Sequence, residues 1–239
     1  MEFTENGFPE PGAEYLRPTK FFDYEHPEVA AFTDAAVEGV SSDIEKSVKL
    51  FYAVRDSIRY DPYQMRAEAE HYVASYALTH RASYCIPKAN LLVACARRVG
   101  IPTAIGLSNV TNHMCTERLQ RLIGGTDLFP HHGYAVMYLD GKWIKAAPAF
   151  NIQLCEKFGV TPTEFDGRDD ALLQEYDKHG RKHMEYVCDN GVWSEFPYDR
   201  VHTDYVAFYP DTIFEDLARE RALNDAKAAR RFEDEKPLT

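Results

Sequence analysis

The stretch from Ser83 to Gly100 constrains the fold more than any other part of the chain. Ser83 leads into Cys85, and Pro87 would lie within the first turn of a helix that begins there. Ala and Leu fill the middle of the stretch, and two arginines precede Gly100. These residue types, in this order, are the start and stop signals of an α-helix. The apolar middle indicates that the helix is buried. The sequence therefore predicts a core built around this helix.

The strands predicted for the rest of the core are antiparallel. Tyr134 to Leu139 and Lys142 to Ala146 flank Asp140-Gly141, a pair that favours a two-residue hairpin turn. Ile101 to Val110 is predicted as another strand, and a second hairpin is predicted around Asp189-Asn190-Gly191. Because the helical patterns come first and the hairpins later, the sequence indicates an α+β fold with an antiparallel sheet.

Helical patterns also flank the predicted sheet. A first helix is predicted from Pro27 to Glu38, and a second follows Ser42 and Asp43, which offer N-caps. We predict a single domain over residues 1–239, with a core at about 27–200 and a closing C-terminal helix at about 211–232. A length of 239 residues is sufficient for one sizeable core.

Composition excludes several classes of protein. A formal net charge of -11 argues against a surface for nucleic acid or anionic membranes, since phosphate binding needs clustered Lys and Arg. No secretory signal and no stretch of about 20 apolar residues is present. The five cysteines are irregularly spaced and lack a C-x-x-C pair. We therefore expect a cytoplasmic protein without a disulfide framework, bound metal or cofactor.

Cys85 lies where a reactive thiol is expected. The free N–H groups and the positive end of the dipole at a helix N-terminus favour a thiolate and can also stabilise an oxyanion. Lys88, one turn later, could add positive potential. The alternative is that Cys85 simply packs, as many cysteines do. Cys95 lies mid-helix on the apolar face and is interpreted as packing, and the remaining three cysteines, at positions 115, 155 and 188, as structural.

His132 is the base that strand alternation selects. One face of its strand carries small apolar residues and is predicted to face the core; its members are Gly133, Ala135, Met137 and Leu139. His132 shares the other face with Tyr134 and Tyr138, as expected for a strand that lines a cleft. His131 would point away. The alternative is that His132, beside another histidine at a strand start, is an ordinary surface residue.

A third residue is needed to orient the imidazole. If Asp140-Gly141 is a two-residue turn, His132 pairs with Ala149, and its diagonal neighbours are positions 147 and 151. Ala147 cannot hold an imidazole, whereas Asn151 can, as in Cys-His-Asn sites. Pro148 favours an early end to the ladder, so Asn151 as a turn residue is equally open.

Three segments of the chain resemble the transglutaminase-like superfamily. CIPKANLLVACARRVGIPTA, from Cys85 to Ala104, is similar to its cysteine helix and the strand that follows. HGYAVMYLDGKWIKAAPAFN, from His132 to Asn151, resembles its histidine hairpin, and VRDSIRYD, from Val54 to Asp61, resembles the preceding helix. The resemblance is to bacterial-type transglutaminase-like domain proteins and covers roughly residues 45–151.

The resemblance implies a papain-like α+β fold in which the cysteine helix packs on an antiparallel sheet. It also implies that Cys85 attacks an amide or ester carbonyl to form a thioester, with His132 acting first as base and then as acid. The family's usual orienting Asp precedes the Pro of the hairpin, and that position is Ala147 here. Asn151 is the first candidate to replace it, and Asp166 is a distant second.

Three functions remain open at this point. The leading one is a cysteine hydrolase of a peptide, protein or small amide, because water is always available to a thioester. The others are transfer to an amine, as in a transglutaminase, and a catalytically silent binding domain, which Ala147 would explain. Tyr60 and Gln64 are candidates for the oxyanion-binding side chain. The oligomeric state is not specified by the sequence.

Overall fold

The computed structural model describes residues 10–226 and 231–238. In this part of the chain the α-helices are α1 (Pro27–Ala36), α2 (Asp43–Ser57), α3 (Ala74–His80), α4 (Cys85–Arg98), α5 (Glu117–Leu122), α6 (Ile152–Phe158), α7 (Tyr198–Phe208) and α8 (Ile213–Ala226). A short 3-10 helix, Phe232–Asp234, follows α8.

The strands form a central antiparallel sheet and a small parallel pair. The central sheet has the order β5-β4-β3-β6, built from β3 (Thr103–Asn112), β4 (Leu128–Leu139), β5 (Lys142–Ala146) and β6 (Met184–Trp193). The pair consists of β1 (Arg59–Tyr60) and β2 (Ala82–Ser83), which lead into the site from α2 and α3. The predicted α+β class with an antiparallel sheet is confirmed.

The elements with local signals lie where the sequence places them. Helix α4 begins at Cys85 and ends at Arg98, with Gly100 in a left-handed conformation just beyond it. Helix α2 begins after Ser42, whose hydroxyl accepts the backbone N–H of Glu45. The β4–β5 hairpin has the predicted register, with Leu139 opposite Lys142.

The second predicted hairpin is wrong. Met184–Trp193 is one continuous strand, β6, which pairs along its length with β3. The Asp189-Asn190-Gly191 segment does not reverse the chain, because register shifts in β3–β6 absorb it. Across this irregularity the side-chain amide of Asn190 donates to the side-chain oxygen of Asn109, at 2.6 Å.

The C-terminal prediction is correct only in part. A helix does follow residue 211, but α8 runs from Ile213 to Ala226, and residues 227–230 of the predicted helix lie outside the described residues. Residues 231–238 then continue as a segment that packs on the body of the protein. Helix α7 was not predicted. Residues 1–9 also lie outside the described part.

Both faces of the central sheet are covered. Ala135, Met137 and Leu139 face the helices and join the main core with α4, as alternation predicts. The opposite face is not an open cleft, since Tyr134 and Val136 are fully buried in a smaller cluster with Trp143 and Tyr15. The predicted cleft is therefore confined to the end of β4 that carries His132.

Gly133 sets how closely β4 approaches α4. A Cβ atom at this position would lie 2.9 Å from the Cα of Ile86 and 3.3 Å from its backbone nitrogen. Such distances are well inside van der Waals contact, and backbone atoms cannot turn away as a side chain can. Only glycine lets the strand pass the first turn of α4 at this separation.

We predict that Gly133→Ala lowers the free energy of unfolding by about 1–3 kcal/mol, because the added methyl group pushes β4 off α4. Gly12→Ala is the matched control, since a Cβ there meets only the flexible Glu14 side chain. Urea unfolding of both variants measures the difference. Equal midpoints for the two variants would show that the contact does not restrict position 133.

Candidate active site

Cys85 is the first residue of α4, and its sulfur lies among backbone donors. The N-cap residue, Tyr84, makes no side-chain capping hydrogen bond to the helix, so no side chain of the cap takes up the N–H groups of the first turn. The N–H of Ile86 in that turn and the N–H of Gly133 on β4 both favour the thiolate form of Cys85. The thiol itself is buried, with 8% of the residue exposed.

His132 reaches the same place through an irregularity in β4. Ser108 pairs with His132, but Val110 pairs with Phe129, so Asn109 lies opposite both Pro130 and His131. This is a β-bulge, and His131 takes a left-handed conformation with φ of 58°. Regular alternation would send neighbouring side chains to opposite faces, whereas the bulge lets Phe129 and Pro130 line one cavity with His132.

Cys85 and His132 line a single cavity of about 50 Å³, which is room for a few water molecules. Most of the remaining wall is apolar or aromatic. The polar side chains that contribute to it are Asn112 and the tyrosines 60, 84, 205 and 209. The structure thus brings together the two residues that the sequence selects as nucleophile and base.

Burial decides the ionisation of both groups. It raises the pKa of the Cys85 thiol to about 11, against the opposing effect of the backbone N–H groups of Gly133 and Ile86. It lowers the pKa of His132 to about 4. At neutral pH the pair is therefore a thiol and a neutral imidazole. The thiolate expected from the helix N-terminus is not the resting form, because desolvation outweighs the donors.

Lys88 does not supply the positive potential suggested from the sequence. Its side chain is fully buried, and its ammonium group donates to the backbone carbonyls of Arg55, at 2.8 Å, and Ile58. Both acceptors lie at the end of α2. Lys88 thus ties α4 to the C-terminal end of α2, and burial lowers its pKa to about 7.

The structure does not bring Asn151 to His132. The Asn151 side-chain oxygen accepts the backbone N–H of Tyr60 at 2.9 Å, and its amide nitrogen donates to Gln153. The Nε2 atom of His132 is buried and makes no hydrogen bond to any described residue. Asn151 therefore holds strand β1 in place and does not orient the imidazole.

The predicted register fails beyond the first five pairs. The β4–β5 ladder ends at Ala135 and Ala146, after which β5 turns to pair with Ala171, and Ala147 donates its N–H to the carbonyl of that residue. Ala147 is buried in the smaller core cluster. Asp166, the second candidate, is exposed and accepts backbone N–H groups of its own turn.

Of the two residues suggested for the oxyanion, only Tyr60 lines the cavity. Its ring packs edge-on against Phe150, with centroids 4.7 Å apart. Gln64 is turned away, and its amide donates to the buried carboxylate of Asp61 at 3.0 Å. The backbone N–H groups around Cys85 are the donors that remain next to the sulfur.

A family comparison agrees with this geometry. Residues 30–148 match the model of the transglutaminase-like superfamily. This stretch contains both Cys85 and His132. The chain belongs to the transglutaminase-like superfamily. The fold is accordingly one that supports cysteine-based acyl transfer. A comparison with curated proteins found no match.

Several solved structures are similar to this transglutaminase-like chain at low sequence identity. A proposed cysteine protease from Cytophaga hutchinsonii is 13% identical, with 75% of this chain and 53% of that chain covered and a TM-score of 0.44. A proposed protease from Parabacteroides distasonis is 16% identical, with 59% and 27% covered and a TM-score of 0.38. An arylamine N-acetyltransferase from Nocardia farcinica is 14% identical, with 83% and 75% covered and a TM-score of 0.45.

This chain thus spans about half of the Cytophaga protein and about a quarter of the Parabacteroides protein.

The C-terminal side of the transglutaminase-like site was missed from the sequence. Tyr205, Tyr209, Leu217 and Phe232 all line the cavity, and all lie beyond the matched residues 30–148. A signal was present for part of it, because Val201, Tyr205 and Tyr209 recur at helical spacing. The contact of Phe232 with the site is non-local and carries no sequence signal.

His131 was also assigned too small a role. Its side chain leaves the Cys85 cavity, as predicted, but it is buried and its Nε2 lies 2.7 Å from the Asp204 carboxylate on α7. Its Nδ1 lies 3.1 Å from the Asn190 amide, and its backbone N–H donates to Asn109. This network holds the bulge that places His132.

Other predicted features of the transglutaminase-like chain have simpler outcomes. Cys95, Cys115 and Cys155 are buried and Cys188 is exposed, and all five cysteines are free thiols. Among the described residues, His, Cys, Asp and Glu form no group of three or more suited to a metal ion. None of the described helices has the length and apolar character that a bilayer crossing requires. The single-domain organisation and the cytoplasmic location stay predictions.

We predict that Asn151→Ala lowers the free energy of unfolding by about 1–3 kcal/mol, because the backbone N–H of Tyr60 loses its acceptor in a poorly solvated position. The pH dependence of Cys85 alkylation should stay as in the parent protein, since Asn151 does not contact His132. Urea unfolding and alkylation rates on the same preparations check both parts. An altered pH dependence of alkylation with an unchanged free energy of unfolding would indicate that Asn151 orients the His132 imidazole after all.

Alkylation of Cys85 by iodoacetamide should rise about tenfold per pH unit from pH 7 to pH 10 without a plateau. The raised pKa implies a thiolate fraction roughly a hundredfold below that of an ordinary thiol at pH 8. Site-resolved mass spectrometry gives the rate, and the slope with pH does not depend on how easily the reagent enters. A plateau below pH 8.5 that disappears in His132→Ala would instead indicate a resting ion pair.

Proposed function

We propose that the chain is a cysteine-dependent acyl-transfer enzyme that hydrolyses an amide or ester through a Cys85 thioester. The observation that carries this proposal is the enclosure of Cys85 and His132 in one cavity at the N-terminus of α4. Imidazoles buried with an unpartnered nitrogen, as at His132 Nε2, are costly to maintain in an apolar interior. Such groups are typical of a site that uses them.

His132 acts as a general base on a neutral thiol. The imidazole is unprotonated at neutral pH and is free to take the thiol proton as the sulfur attacks the carbonyl, although the burial that lowers its pKa also makes it a weaker base. The protonated imidazole then gives this proton to the leaving amine or alcohol. A thioester of Cys85 remains. His132 next removes a proton from the attacking water and gives it to the departing Cys85 sulfur, so that the products are a carboxylic acid and the free thiol.

The oxyanion is stabilised by backbone donors. The N–H groups at the start of α4 and the N–H of Gly133 surround the sulfur, and they favour negative charge there. The same groups can donate to a carbonyl oxygen that becomes negative next to the sulfur. In a cavity with so little water, donors of this kind stabilise charge more strongly than they would in solution.

The size of the cavity favours hydrolysis over transfer to an amine. A volume of about 50 Å³ leaves little space beside a bound acyl group, and water is the acceptor that such a space admits most readily. A primary amine with an alkyl chain would have to displace part of the wall. Hydrolysis is therefore the first expectation and amine transfer the second.

A catalytically silent domain is the competing function, and a specific observation favours it. The position that orients the imidazole in the family is Ala147, and His132 makes no replacement hydrogen bond through Nε2 among the described residues. An imidazole without an orienting group remains a base, but its tautomer and direction are less fixed. We therefore expect weak turnover, and activity measurements must distinguish slow from absent.

The test is acylation by p-nitrophenyl acetate, followed by intact-mass and peptide mass spectrometry. We predict one acetyl group on Cys85, none in Cys85→Ala, and acylation slower by roughly 10²–10⁴-fold in His132→Ala, because the thiol then loses its base. Cys188→Ala, which removes an exposed thiol outside the cavity, is the matched control and should behave as the parent protein.

Equal acylation of the parent protein and Cys85→Ala would exclude an enzymatic function for Cys85. The catalytically silent binding domain would then be the remaining function. Repeating the reaction with putrescine separates the two enzymatic outcomes. Acetate as the product in both reactions supports hydrolysis. Acetylated putrescine in place of acetate would replace hydrolysis by amine transfer.

A further inference from the structure

Among the described residues that line the Cys85 cavity there is no Asp, Glu, Lys or Arg side chain. Its polar groups are the thiol, the imidazole, the Asn112 amide and tyrosine hydroxyls. A carboxylate or ammonium group placed there would lose its hydration and find no opposite charge. The cavity is thus matched to an uncharged group and unfavourable to an ionised one.

One side of the cavity wall comes from residues beyond the stretch that matches the family model. Tyr205 and Tyr209 come from α7 and the residue after it, Leu217 comes from α8, and Phe232 comes from the short helix that follows. All four are buried, and all lie outside the stretch that matches the family model. Whatever group this wall contacts is selected by the C-terminal third of the chain.

Phe232 is the residue of the C-terminal segment that lines the cavity. Its ring packs against three aromatic rings, those of Tyr60, Tyr63 and Phe158, at centroid distances of 5.9, 6.0 and 5.4 Å. Only 2% of Phe232 is exposed. Because Tyr60 also lines the cavity, Phe232 can move outward only by breaking this aromatic cluster.

Glu235 anchors the segment that carries Phe232. Its carboxylate accepts hydrogen bonds from the Tyr63 hydroxyl at 2.9 Å, the Thr116 hydroxyl at 2.6 Å and the Arg118 guanidinium at 2.8 Å. The backbone N–H of Leu238 donates to the Cys115 carbonyl at 2.9 Å. An anchor of this kind gives the cavity a fixed wall in place of a mobile one.

We propose that the Cys85 cavity accepts a small, uncharged, apolar acyl group and that Phe232 limits the length of that group. This inference rests on the proposed acyl-transfer function. The reaction is the one given above: the sulfur forms a bond to the acyl carbon, the leaving group departs with the thiol proton, and water releases the acid. The acyl chain lies along the aromatic wall, and Phe232 blocks its far end.

The experiment compares four p-nitrophenyl esters: acetate, butyrate, octanoate and the charged monosuccinate. Release of p-nitrophenolate gives kcat/KM, and intact mass confirms acylation of Cys85. We expect butyrate to exceed monosuccinate by about tenfold or more, because an ionised carboxylate enters without a partner. Octanoate should fall below butyrate in the parent protein.

Phe232→Ala should raise the octanoate-to-butyrate ratio of kcat/KM by about tenfold, since the longer chain gains apolar contact in the space released. Phe232→Leu, which keeps most of the core packing, should shift the ratio in the same direction by less. Phe208→Ala removes an exposed aromatic ring that does not line the cavity, and it should leave the ratio unchanged. Circular dichroism confirms that each variant is folded.

The outcomes separate this inference from the function on which it rests. The proposed acyl selectivity is wrong if all four esters acylate Cys85 at similar rates, or if the folded Phe232 variants keep the parental octanoate-to-butyrate ratio. The proposed acyl-transfer function stands in both cases. If no ester acylates Cys85, or if Cys85→Ala releases p-nitrophenolate as fast as the parent protein, both the function and the inference are overturned.

Discussion

The contact between Gly133 and the first turn of α4 is the constraint on which the candidate site depends. It brings a strand backbone within van der Waals distance of a helix backbone, which leaves no room for a side chain between them. The N–H of Gly133 thereby joins the donors around the Cys85 sulfur, and the adjacent residue, His132, is carried to the edge of the same cavity. One close backbone approach thus positions the Gly133 N–H, the Cys85 thiol and the His132 imidazole together.

A strained conformation completes this arrangement. A non-glycine residue in the left-handed region costs of order 1–3 kcal/mol and persists only where surrounding contacts fix it. At His131 those contacts are present, because Asp204 and Asn190 bind its ring and Asn109 binds its backbone. Asp204 lies on α7, so the element that supplies Tyr205 to the cavity wall also supports the bulge that places His132.

Sequence reasoning succeeded where the determining interactions are local. The ends of α4 and the Asp140-Gly141 hairpin follow from caps and turn residues, and both were predicted correctly. Sequence reasoning failed where contacts between segments distant in sequence determine the structure. Asn151 was placed diagonally across from His132 by extending a ladder that in fact ends at Ala135 and Ala146, and Phe232 reaches the cavity through contacts far away in sequence. Local patterns therefore gave the two residues that meet at the cavity, Cys85 and His132, but not their surroundings.

The apolar wall has two opposing effects on the proposed chemistry. It raises the pKa of Cys85, which lowers the resting population of thiolate. It also lowers the pKa of His132, which makes the imidazole a weaker base. The same wall excludes water, so charge on a carbonyl oxygen is met by fixed N–H donors. A neutral resting pair is therefore compatible with catalysis, provided that proton transfer accompanies attack on a carbonyl that already fills the cavity.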